Sequence, residues 1–452
     1  MRNRLFVILI SVVFFYIVPR INSIVILSLA NMAIMSFLCF SVIKIQRKVF
    51  SPFLLMAVSL CVFHCGCLWV SPFESSPMNY LLGEHRIANE IEVINAYKII
   101  TNLLIVFWCV GVTKIDSIGY KSDLTHISVN GVFRFFVFIL YIFSFYFEFQ
   151  RAASVSALGY GDGYRYGSSF GQLLCNGVNM LLLTILYASH QNYKLMLRYV
   201  FLIVIRNLFI IVFVGNRGLA TINILIALFV ISRYSYLSLD SQKLKRLYWV
   251  VGLVMVLILP LISLTRGGNI TVQNAVSNLN PIESFLTEFG GTAGNVMMAI
   301  QFVDAKTPFL GLQILATALV IVPFSTTLFG ELIIKYVSVA SMFNDFYNRS
   351  GLGGSLLSQL IVNFGDTIVL YFAIGLISWI VSCISNSLMK KQNSIYITIL
   401  LINLFVGLML TVRGELYDTF AYLKVSIYLV AFIYIMNQTS FPLFRVYTNE
   451  NI

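Results

Sequence analysis

Apolar residues recur along this 452-residue chain in continuous runs, separated by short polar segments. A helix needs about 20 apolar residues to cross a hydrocarbon core of about 30 Å. Helices are the expected spanning form, because they satisfy their own backbone groups in lipid. A membrane β-barrel would alternate with a period of two, and these runs do not. The pattern predicts an all-α polytopic membrane protein of about twelve spans. Their limits are near 5–18, 21–43, 53–70, 93–112, 131–149, 170–189, 199–214, 219–232, 248–264, 363–385, 395–412 and 419–436. The expected organisation is a membrane domain with nine spans over 1–264, a large loop over 265–362, and three spans over 363–452. Within the loop, 311–324 is apolar but only 14 residues long. Three alternatives stand for it: it re-enters the membrane, lies in the interface, or spans and inverts everything downstream.

Composition agrees. The chain is 59% hydrophobic and 11% charged, where a soluble domain carries about 25% charge. The formal charge of +12 does not imply nucleic acid, because Lys and Arg sit mainly between apolar runs, with no basic stripe of interleaved aromatics. Placing both termini in the cytoplasm satisfies the positive-inside rule for the short loops and puts the long loop outside. Of ten basic residues then external, eight are Arg. Topology asks only for charge, whereas Arg offers a planar fork for phosphate. The Arg excess on that side therefore points to an anionic ligand. Met1-Arg2-Asn3-Arg4 before an apolar run resembles a signal sequence, but Pro19-Arg20 stands where a small-residue cleavage site is needed, so it reads as the first span.

Cys61, His64, Cys65 and Cys67 cluster in sequence inside an apolar run. Zinc sites want paired ligand turns, and buried Cys behaves as a small hydrophobe, so core packing is expected and no metal. No disulfide framework is visible among the seven Cys.

Three Arg-Gly pairs fall at external helix ends: Gly215-Asn216-Arg217-Gly218, Thr265-Arg266-Gly267-Gly268 and Val412-Arg413-Gly414-Glu415. Gly permits close backbone approach to a ligand, and a helix N-terminus favours an anion. Arg217, Arg266 and Arg413 are the candidate phosphate contacts. Snorkelling to head groups is the plain alternative. Glu288, in Thr287-Glu288-Phe289-Gly290-Gly291-Thr292, is the candidate general base beside what reads as a flexible turn. Asp345 and Arg349 are spaced to pair on a helix or to hold sugar. Tyr160, Tyr164 and Arg165 lie in a Gly- and Tyr-rich segment suited to sugar stacking, or to an interfacial aromatic belt. His85 is a minor alternative base, since 265–362 contains no His. Lys98, Arg134, Arg206 and Lys424 fall in or beside spans, with Arg206 the deepest, and charge within a span defaults to a functional hypothesis. No phosphate-binding P-loop and no dinucleotide fingerprint occurs, so no cofactor is expected.

The long loop after about nine spans, the external Gly215-Asn216-Arg217-Gly218, Glu288-Phe289-Gly290-Gly291-Thr292, and Gly351-Leu352-Gly353-Gly354 leading through Asn363-Phe364-Gly365 into a span resemble Wzy-type O-antigen polymerases. The resemblance covers nearly the whole chain. It implies a bacterial inner-membrane glycosyltransferase with a periplasmic loop, joining undecaprenyl-diphosphate-linked oligosaccharide repeat units without a metal. It also implies membrane lipid around the protein and a chain-length regulator as partner. O-antigen ligases share the layout but typically carry a His in the large loop. A lipid-linked oligosaccharide flippase is the competing class, for which short, even connections are expected.

Overall fold

In a computed structural model of the chain, residues 2–46, 51–74, 89–115, 126–158, 169–189, 192–214, 217–234, 281–323, 325–330, 336, 338–347, 353–389, 394–439 and 442–447 are described. The helices are α1 (Arg2–Ile17), α2 (Ile24–Gln46), α3 (Pro52–Val70), α4 (Glu90–Lys114), α5 (Gly131–Leu158), α6 (Ser169–Ala188), α7 (Tyr193–Phe209) and α8 (Arg217–Tyr234). They continue with α9 (Pro281–Gly290), α10 (Ala293–Ala305), α11 (Leu312–Ala318), α12 (Val339–Tyr347), α13 (Leu356–Phe364), α14 (Ile368–Met389), α15 (Ile395–Leu410) and α16 (Leu416–Asn437). Described helices fall on every expected span except the ninth, whose residues lie outside the described ones. Among the described residues, seven segments are long and apolar enough to cross a membrane: α2, α3, α4, α5, α7 with the π turn that extends it, α14 and α16.

Local chemistry sets the helix ends. Ser51 caps α3 by accepting from Leu54 N–H at 3.2 Å, with Pro52 in the first turn where no N–H is needed. Asn89 and Glu92 form a reciprocal capping box on α4, at 3.0 and 2.9 Å. Between α13 and α14 the chain turns at Gly365, whose φ of +61° suits glycine. The expected span near 363 therefore starts later, at Ile368. Two strands were not expected: β1 (His126–Val129) pairs antiparallel with β2 (Phe444–Tyr447), joining segments far apart in the sequence.

The chain forms two compact units. The first comprises Met1–Gly119, Asn269–Met389 and Leu408–Phe420; the second comprises Tyr120–Gly268, Lys390–Gly407 and Ala421–Ile452. In the first, α2, α3 and α4 are joined by Asn31, which donates to Thr101 Oγ1 at 2.9 Å and accepts from Trp69 Nε1 at 2.6 Å. Phe53 stacks on Phe107 with centroids 5.5 Å apart. Ser378 and Ser382 of α14 donate to backbone carbonyls of α4, at Phe107 and Gly111. Small and polar residues of this kind hold helices together in lipid, where the hydrophobic effect does not.

The described residues of 281–364 form short helices within this same unit. α9 packs along α3, where a Cβ on Gly66 would run into Leu286 O and one on Gly290 into Cys67 N. Phe63 and Phe289 meet edge to face at 4.8 Å. Gly290 is thus a close-packing residue at a helix end, a correction to the flexible turn expected beside Glu288. The apolar stretch 311–324 gives the short apolar helix Leu312–Ile321. Ten residues rise only about 15 Å, which is short of a span. In the same α3, Cys61 lies against Trp108 and Met35, Cys65 against Asn31, and His64 Nδ1 against Leu60 O at 3.0 Å, so these residues are core packing.

Candidate active site

Thr411 to Glu415 join α15 to α16. Gly414 N–H returns to Leu410 O at 2.8 Å, and Thr411 Oγ1 donates to Leu408 O at 2.7 Å, which closes α15. A Cβ on Gly414 would run into the Asp418 carboxylate and stand 3.0 Å from Leu410 O. Glycine lets the turn close without displacing the Asp418 carboxylate. The result is a pair of opposite directions: the Arg413 side chain is exposed, and Glu415, two residues on, is turned inward with 7% exposure.

The Glu415 carboxylate accepts from Val339 N–H at 2.9 Å, Ala340 N–H at 2.8 Å and Ser338 Oγ at 3.2 Å. These groups begin α12. The first amides of a helix lack partners within it, and the positive end of its dipole favours an anion. Glu415 supplies that cap from more than seventy residues away in sequence. Gly354 packs against the carboxylate from elsewhere, with its carbonyl accepting from Asn295 Nδ2 at 3.3 Å. Burial pushes the Glu415 carboxyl up to about 7; the Ala340 and Val339 amides hold it down, and Asp418 pushes it up.

α13 fixes this turn from a third side. Leu356 N–H donates to Thr411 O at 2.8 Å, and Leu416 N–H donates to Gln359 Oε1 at 2.7 Å. Gln313 Oε1 then accepts from Gln359 Nε2 at 2.7 Å and Asn363 Nδ2 at 2.8 Å. Gln359 and Asn363 are one helical turn apart, so both face Gln313. A buried amide network of this kind holds its elements in one arrangement when its bonds are made. At the far end of α12, Tyr347 Oη lies 3.1 Å from Met298 O and 3.0 Å from Gln301 Oε1, and Gln301 Nε2 donates to Glu92 Oε2 at 3.0 Å. Burial, reinforced by the charge of Glu92, raises the Tyr347 hydroxyl to about 12.

The chain matches the family model for O-antigen polysaccharide polymerase Wzy over residues 3–442. The chain belongs to this family. No curated protein and no solved structure matches it. The Wzy family model spans both units, so 411–416, 338–340 and 353–363 all lie within it. Its activity is polymerisation of O-antigen polysaccharide, a glycosyltransferase-like reaction, and the apolar helices make this member a multi-pass membrane protein.

Among the candidates, the structure brings the Arg413 turn together with Gly353-Gly354 of the Gly-rich element, two stretches about sixty residues apart. Asp345 is exposed on α12, the helix that Glu415 caps. Glu288 lies near the end of α9 and Arg217 at the start of α8, each with its side chain outside the described residues. Arg266, Arg165, Tyr160, Tyr164, Arg349 and His85 lie outside the described residues altogether. Lys98 donates to Asn22 at 3.0 Å.

In Val412-Arg413-Gly414-Glu415 the arginine is the conspicuous residue, and Glu415 is not. Its one available signal was an acidic residue between a Gly and an apolar run. Gln359 and Asn363 carried a clearer signal, two amides four residues apart on an apolar helix. Gln313, in an apolar stretch nearly fifty residues earlier, carried none.

Proposed function

We propose that this Wzy-family protein joins lipid-diphosphate-linked oligosaccharide repeat units at the periplasmic face of the bacterial inner membrane, with about twelve spans and both termini cytoplasmic. A hydroxyl of one lipid-linked unit attacks the anomeric carbon of another unit. The new glycosidic C–O bond forms as the anomeric bond to the diphosphate breaks. The electron pair leaves with undecaprenyl diphosphate, and the hydroxyl proton passes to a carboxylate, assigned to Glu288. The donor carries its own leaving group, so the reaction draws on neither a nucleotide nor a metal. Arg217 and Arg266, with Arg413 beside them in role, stabilise the charge that develops on the diphosphate. Arg165, Tyr160, Tyr164, Asp345 and Arg349 contact sugar or substrate anion. A chain-length regulator is the proposed partner.

The observation that most supports this reading is the family match over 3–442. The rigid Arg413 turn adds to it: Glu415, a positioning residue, and Gly354 hold the backbone from which Arg413 projects. The test is deletion of the gene in its host, with lipopolysaccharide resolved on a gel. Core carrying a single repeat unit is the expected product. Bare core with accumulated lipid-linked repeats would mean flipping or ligation instead. Arg217→Ala and Arg266→Ala should reproduce the single-repeat pattern at normal protein levels; full-length polymer in both would remove these two residues from the mechanism.

A further inference from the structure

Arg206 lies within α7 with no solvent exposure, in a segment apolar enough to span a membrane. A charge there is costly unless it is paired and hydrogen-bonded. Its Nη2 donates to Glu148 Oε1 of α5 at 3.2 Å, and its Nη1 donates to Asn179 Oδ1 of α6. The other Glu148 oxygen is taken by Arg151 Nη1 at 3.3 Å. One carboxylate, 1% exposed, is therefore divided between two guanidiniums. Two buried donors of the group, Arg206 Nε and Asn179 Nδ2, meet no acceptor among the described residues. Buried donors rarely go without one in a protein interior, and each such case asks for a ligand, a water or a function.

The backbone beside Arg206 is also irregular. α7 gives way to a π turn, Ile210–Val214, where Ile210 N–H is shared between Arg206 O and Asn207 O. Such turns concentrate at functional sites. Asn207 Oδ1 accepts from Asn223 Nδ2 at 3.2 Å, tying this region to α8, the helix that begins at Arg217. All of these residues belong to the second unit.

We infer that Arg206, Asn179, Glu148 and Arg151 form a binding site for a phosphate-type oxyanion, with Arg206 and Asn179 as ligands and Glu148 as the positioning residue that holds both guanidiniums. A planar guanidinium whose Nε–H meets no acceptor among the described residues, beside an amide N–H in the same state, offers buried donors of the kind that bind tetrahedral oxygens. Assigning that oxyanion to the diphosphate of a lipid-linked glycan rests on the polymerase reading; the oxyanion chemistry does not.

The test uses the full-length protein purified in detergent, titrated with inorganic pyrophosphate. Parallel arms use nanodiscs of neutral lipid containing polyprenyl phosphate, or phosphatidylglycerol. Wild type is expected to bind pyrophosphate and polyprenyl phosphate and to prefer both to phosphatidylglycerol. Arg206→Met should weaken both by roughly tenfold or more, the loss expected for one charge-assisted hydrogen bond. Asn179→Leu should weaken them less, and covers the case in which Arg206→Met fails to fold. Glu148→Gln, which loosens the hold on both guanidiniums, should weaken binding too, by less than Arg206→Met does. Unchanged binding in Arg206→Met and Asn179→Leu, or equal affinity for phosphatidylglycerol, would overturn the site. The deletion phenotype separates the two claims. A normal polymer ladder in the deletion strain sinks the polymerase reading whatever the titration shows. Single repeats in the deletion strain, together with purified wild-type protein that binds neither pyrophosphate nor polyprenyl phosphate, sink this inference alone.

Discussion

Gly354 lies so close to Glu415 that a Cβ added to it would stand 2.5 Å from Glu415 Oε1 and 2.9 Å from Cδ. Real Cβ atoms do not approach that closely, so Gly354→Ala must push the carboxylate off the Val339 and Ala340 amides. Each charge-assisted bond lost costs about 1.5–3 kcal/mol. The turn that carries Arg413 should loosen, and polymer output should fall with it. Gly353→Ala is the control: its Cβ would meet the Asn295 amide at 3.3 Å, and a flexible side chain can yield. Lipopolysaccharide ladders of the two variants at matched protein levels check this, and equal ladders would sink it.

Glu415 gives a pH dependence. Its carboxyl rises from an ordinary 4.5 to about 7, chiefly through burial. Between those values the native state holds a proton that the unfolded chain has released. Stability therefore falls as pH rises from about 4.5 to about 7 and then levels off. Thermal melts of the detergent-purified protein should show that slope. Glu415→Gln, which cannot titrate, should reduce it.

The crossing of α9 on α3 depends on two glycines. Gly290→Ala would force the Cβ into Cys67 N, and Gly66→Ala would force it into Leu286 O. Both contacts are backbone and cannot rotate away. A loss of about 1–3 kcal/mol is expected from such overpacking. Gly291→Ala, with its nearest contact 3.9 Å away at Thr287 O, should melt close to wild type.

Gln359→Leu removes the acceptor of Leu416 N–H and the donor to Gln313 together. A buried polar group left without a bond costs about 1–3 kcal/mol. The variant should melt lower than wild type and lose polymer output as the Arg413 turn loosens. A Gln359→Leu protein with both properties intact would show that the amide network does not hold the turn.

Arg413 should separate stability from activity. Its side chain is exposed, so Arg413→Ala should change stability by no more than about 0.5 kcal/mol. Polymer should shorten or disappear if its guanidinium meets the substrate diphosphate. Arg413→Lys, a point charge without the planar fork, should recover only part of the output. A wild-type ladder from Arg413→Ala would limit it to head-group contact.

The amino-acid sequence alone carries the class of protein and most of the helices. Continuous apolar runs leave helices in lipid as the solution, because backbone groups there have no water to bond. The run lengths placed α2, α3 and α4 within several residues of their observed limits. It also marked Arg413 and Arg206, since a cation at or within an apolar run is conspicuous wherever it falls. What it did not determine was which distant residues answer those cations and turns. Glu415 caps a helix more than seventy residues away, and Glu148 reaches Arg206 across 58 residues. Gly290 reads in the sequence as part of a flexible turn, although its reason is the surface of α3, set by Gly66 and Cys67 more than two hundred residues earlier. Hydrophobic periodicity is local and therefore legible along the chain. Hydrogen-bond satisfaction and close packing are pairwise and long-range, so they become visible only in the folded chain.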